Sequence, residues 1–62
     1  MTWRELCEKA KENSFNIVTR EVISPWWSNT WFFKDGRVKH DGVIIATKRT
    51  PEQMYAIMEA LK

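Results

Sequence analysis

Two Asp-Gly pairs, Asp35-Gly36 and Asp41-Gly42, stand six residues apart between segments rich in aromatic and β-branched side chains. They constrain the fold more than any other feature of the chain. A two-residue hairpin turn of type I′ needs positive φ at both central positions, and Asp-Gly meets that need. The first pair therefore predicts that Thr30 to Lys34 forms a strand and that Arg37-Val38-Lys39-His40 returns antiparallel to it. The second pair has two readings. It is either a turn into a fourth short strand or a bulge in one long third strand ending at Val43-Ile44-Ile45-Ala46-Thr47. The bulge is preferred, because so short a segment makes a poor independent strand.

Helix signals bracket this region. Thr2-Trp3-Arg4-Glu5 has the form of a capping box, with Met1 and Leu6 at the positions of a hydrophobic staple. Trp3, Leu6, Cys7 and Ala10 then recur as one apolar stripe, predicting a helix from Trp3 to Glu12 that stops near Asn13-Ser14. Thr50-Pro51-Glu52-Gln53 supplies an N-cap, a proline at the first helical position and a second capping box. Met54, Ile57, Met58 and Leu61 form the stripe that follows, with Ala56 and Ala60 on its flanks. Phe15 to Ile23 lacks Gly and Pro and reads as the first strand, with both faces mixed in character. Ser24, Pro25, Ser28 and Asn29 read as the connection after it. The predicted fold is α+β: a three-stranded antiparallel β-meander flanked by N- and C-terminal helices in α-β-β-β-α order. Residues 1–62 form a single small domain, with both helices on one face of the sheet.

A chain of 62 residues has a small core and usually needs a further source of stability. Cys7 is the sole cysteine, which excludes an internal disulfide, and with His40 as the sole histidine a structural zinc site lacks ligands. The remaining source is aromatic: four Trp, three Phe and one Tyr, of which Trp3 and Trp31 fall in phase with core faces. No cofactor is expected. No apolar run approaches the roughly 20 residues of a membrane helix. The first residues lack the basic-then-apolar order of a signal peptide, so a reducing cytoplasm is the expected compartment.

Catalysis is not expected. Cys7 lies on an apolar helical stripe, where a thiol packs as a small hydrophobe, and His40 sits beside a turn. Asp35, Asp41 and both glycines are accounted for by the turns, which leaves no phosphate loop and no small-molecule substrate site. The basic residues give a better lead. Between Lys34 and Arg49, five of them (Lys34, Arg37, Lys39, Lys48, Arg49) stand against two aspartates. Such residues also solubilise a hairpin and guard its edges, so their clustering alone has a structural explanation. The adjacent Trp26 and Trp27 lie in a connection, where successive rings of an extended segment diverge and one is left for a contact surface.

The expected function is a non-catalytic nucleic-acid-binding module. Lys34, Arg37, Lys39, Lys48 and Arg49 contact phosphates, while Trp26, Trp27 and Phe32 stack on bases. The alternative is a protein-interaction adaptor or inhibitor using the same aromatic surface, including as a homodimer. The helix, three strands and helix resemble double-stranded RNA-binding domains in element order, with Lys48-Arg49 at a comparable place before the last helix. That likeness is one of topology. The Gly-rich approach and Ser-Lys-Lys helix start of that family are absent, and Pro51-Glu52 puts an acidic residue where the family has a basic one.

Overall fold

The computed structural model describes residues 1–18 and 29–61. Helix α1 (Trp3–Glu12) is followed by strands β1 (Asn16–Val18), β2 (Thr30–Phe33), β3 (Val38–His40) and β4 (Val43–Ala46), then by helix α2 (Pro51–Leu61). The α+β class and both helices stand as expected. The sheet does not: it has four strands in the order β1-β2-β3-β4, and it is mixed rather than an antiparallel meander.

Three causes account for the difference. Asp41 and Gly42 both have positive φ, 51° and 80°, and His40 pairs with Val43 across them, so this pair is a two-residue turn into a fourth strand. A strand this short is sufficient because its partner β3 is equally brief and already fixed by β2. A register shift does occur nearby. Val38 pairs with Ala46 and Lys39 with Ile44, which leaves Ile45 as the extra residue of a bulge. At the first Asp-Gly pair only Gly36 is left-handed, with φ 96°. Phe33 N–H donates to Arg37 O (2.9 Å) and Gly36 N–H to Phe33 O (3.0 Å). The loop is thus a type I turn closed by a left-handed glycine, one residue longer than expected.

The third cause is long-range. β1 runs parallel to β2, with Asn16 opposite Trp31, Ile17 opposite Phe32 and Val18 opposite Phe33. Lys34 N–H extends this ladder to Val18 O at 3.1 Å. A parallel pair needs a connection that returns the chain to the strand's starting end, which no tight turn provides. The rest of the expected first strand, through Ile23, lies outside the described residues. With a fourth strand present, the element order no longer matches that of double-stranded RNA-binding domains.

Both helix starts follow the local chemistry read from the sequence. Glu5 N–H donates to Thr2 Oγ1 at 3.2 Å and Thr2 N–H to Glu5 Oε1 at 3.1 Å, completing the first capping box. α1 ends in a Schellman motif: Phe15 N–H reaches Ala10 O (2.8 Å), Ser14 N–H reaches Lys11 O (3.3 Å), and Ser14 carries φ 59°. Serine at this left-handed position bears a Cβ penalty that glycine avoids. Ser14→Gly is expected to raise stability by about 0.5–1 kcal/mol, read as a higher urea midpoint at unchanged slope.

The core is built from one face of each element. Leu6 and Ala10 of α1 and Met54 and Met58 of α2 pack on Phe15, Ile17, Phe32, Val38 and Ala46. Phe15 and Phe32 meet edge to face, with centroids 5.7 Å apart and planes at 82°. Phe32 is fully buried, so strand alternation turns Trp31 and Phe33 to the sheet face away from the helices, where both are half-buried. The assignment of Trp31 to the core face is therefore corrected. Among the described residues, no helix is long and apolar enough to cross a membrane.

Candidate nucleic-acid interface

One backbone contact organises the basic residues. Arg49 N–H donates to Gly36 O at 3.0 Å, seating the tip of the β2–β3 hairpin on the β4–α2 connection. Gly36 is buried there, while Lys34, Arg37, Lys48 and Arg49 are all exposed around it. Two segments that are distant in sequence thus share one pole of the molecule. Lys48 holds a left-handed backbone, φ 54°, next to this contact. That conformation is unusual for a residue with a Cβ and persists only where the surroundings impose it.

The charges at this pole are not equally available. Arg37 Nε donates to Asp35 Oδ2 at 2.8 Å, and Asp35 Oδ1 also accepts from Arg37 N–H at 3.1 Å. The Arg37 guanidinium lies over the Phe33 ring, 4.6 Å from its centroid. At the start of α2, Thr50 Oγ1 accepts from Gln53 N–H (3.2 Å) and Gln53 Oε1 from Thr50 N–H (2.9 Å). The Glu52 carboxylate lies against the Met1 amino group, which holds it below the usual carboxylate range. The helix start is thus served by its own side chains, and its acidic residue is matched by the Met1 amino group.

Lys39 stands apart from the pole. It lies opposite Trp31 in the β2–β3 ladder, on the sheet face away from the helices, and is half-buried. Phe32 is corrected outright as a stacking residue: with no exposed surface it cannot meet a base. Trp26 and Trp27 lie outside the described residues. Trp31 and Phe33 are the aromatics that sequence reasoning missed as surface candidates. The signal was available in Trp31-Phe32-Phe33: only one phase of that alternation can be buried, and Lys39 and Arg37 share the face of Trp31 and Phe33 once the hairpin register is drawn.

The candidate nucleophile and base are each held by other contacts. Burial pushes the Cys7 thiol up, partly offset by Lys11 and Lys34. That is opposite to the shift that activates a thiolate. His40 Nδ1 lies 2.8 Å from Thr30 Oγ1 and its Nε2 3.3 Å from Asp41 Oδ2. Asp41 Oδ1 in turn accepts from Asn29 Nδ2 at 2.6 Å, so this polar cluster ties the start of β2 to the β3–β4 turn. No group of three His, Cys, Asp or Glu side chains among the described residues is arranged to hold a metal ion. In comparisons with known proteins the chain matches no family model, no curated protein and no solved structure.

Proposed function

We propose that the protein is a non-catalytic module that binds single-stranded nucleic acid, with the phosphate backbone held at the Gly36–Arg49 pole. The observation that supports this most directly is the docking of the hairpin tip on the β4–α2 connection, which gathers Lys34, Arg37, Lys48 and Arg49. Lys48 and Arg49 take phosphates as free cations. Arg37 contributes less, because Asp35 already compensates its charge. From the pole the strand continues along the sheet face past Phe33 and Arg37 to Trp31 and Lys39. There, aromatic surface beside basic side chains suits bases that stack without sequence preference.

Salt dependence tests the reading. Four phosphate contacts to a single strand imply a log–log salt slope near −2.8, so affinity falls roughly 50-fold between 50 and 200 mM salt. Lys48→Glu with Arg49→Glu removes two contacts and is expected to reduce that salt-induced loss to roughly 7-fold, besides weakening binding at every salt concentration. Anisotropy of a labelled oligonucleotide measures both quantities. An affinity indifferent to the double substitution would exclude the pole as a phosphate site.

A further inference from the structure

We infer that β4 is a self-association edge, on which a second copy of the chain pairs its own β4 antiparallel about a twofold axis. The inference is independent of the nucleic-acid reading and rests on different residues. β4 ends the sheet, and its outward side has no strand beside it among the described residues. Edge strands are normally protected by lysine, proline or an inward charge. Val43-Ile44-Ile45-Ala46 has none of these, and its first three residues are 61, 43 and 47% exposed. The bulge at Ile45 shifts the register toward β3, with Val38–Ala46 and Lys39–Ile44 on either side of it. That bulge is itself a device that blunts an edge, but all four side chains of β4 remain apolar.

Charge identifies the occupant as a second copy. Asp41 stands just before β4, its side chain 67% exposed, and Lys48-Arg49 stand just after it. In an antiparallel self-pair centred between Ile44 and Ile45, Val43 meets the partner's Ala46, and the turn that carries Asp41 comes to the same end as the partner's Lys48-Arg49 segment. Moving the centre to Ile45 keeps the same ends together. Both registers put the acidic end of one strand on the basic end of the other, twice by symmetry. A parallel arrangement aligns like charges. Beside the edge, a groove of about 350 Å³ between β4 and α2 is lined by Ile45, Ala46, Arg49, Gln53, Ala56 and Ile57. Its small Ala46 and Ala56 leave room for the side chains of an added strand. In the dimer the two sheets become continuous, which also relieves the small core of each protomer.

Sedimentation velocity from about 1 to about 500 µM tests this, since mass action makes a dimer concentration-dependent. The expected result is a reversible monomer–dimer equilibrium. Ile44→Lys, an exposed position, is expected to hold the protein monomeric with unchanged far-UV circular dichroism. Lys48→Asp sets like charges opposite each other at both ends of the interface and is expected to weaken dimerisation about tenfold, with the difference closing at high salt. A wild-type monomer throughout would overturn the proposal and leave the edge to some other extended segment. A dimer unaffected by Ile44→Lys would overturn it equally. Ile44 lies opposite Lys39, so oligonucleotide binding is read on Ile44→Gln, which adds no charge to that face and leaves every basic residue in place, separating failure of the dimer from failure of the nucleic-acid reading.

Discussion

Gly36→Ala is expected to remove a large part of the folding stability. A Cβ at this position would lie 2.6 Å from Arg49 N, 2.8 Å from Arg49 O and 3.0 Å from the Lys48 carbonyl carbon. All three are backbone atoms, so no side chain can rotate away. The left-handed φ of 96° adds a penalty of about 1–2 kcal/mol for a residue with a Cβ. Forced displacement of packed backbone adds about 1–3 kcal/mol. A total of about 2–5 kcal/mol compares with roughly 3–9 kcal/mol of stability for a chain of this length. Gly42→Ala is the matched control: φ is 80° but nothing lies within 4 Å of the added methyl. It is expected to cost only the backbone term, about 1–2 kcal/mol. Urea denaturation of the two variants separates docking from turn geometry, and equal losses would mean that the hairpin tip does not rest on Arg49.

The same contrast shows which parts of this fold are legible in the sequence. Capping boxes, apolar stripes and Asp-Gly pairs act within a few residues, so Thr2-Glu5, Thr50-Gln53 and both turns can be found locally. Even there the neighbours select the variant, since the two Asp-Gly pairs adopt different loops. The partner of β1 cannot be read this way. Asn16–Val18 pairs parallel with Trp31–Phe33 across a connection whose geometry no short motif encodes. Gly36 shows the limit most clearly. Its turn is predicted by its neighbour Asp35, whereas the requirement for an absent side chain comes from Arg49, far along the chain. The basic cluster was legible as residues, but its assembly at one pole follows from that contact, and the neutralising role of Asp35 was hidden behind its turn role.

Phase is the remaining ambiguity of a short aromatic strand, and Phe32 and Trp31 respond to it in opposite ways. Phe32 has no exposed surface and meets the Phe15 ring edge to face. Phe32→Ala is expected to cost about 3–5 kcal/mol, as much as the lower part of the stability range of such a chain, and to lower every activity in step with the folded fraction. Trp31 is half-buried on the opposite face, across from Lys39. Trp31→Ala is expected to leave the protein folded, with a smaller drop in thermal midpoint than Phe32→Ala. If the strand crosses this face, the lost ring removes about 1–3 kcal/mol of stacking, roughly a five- to 150-fold weaker oligonucleotide affinity. Thermal denaturation and anisotropy on the two variants keep stability and binding separate. Unaltered affinity in a folded Trp31→Ala protein would confine nucleic acid to the pole, and unfolding of that variant would make Trp31 a second core ring.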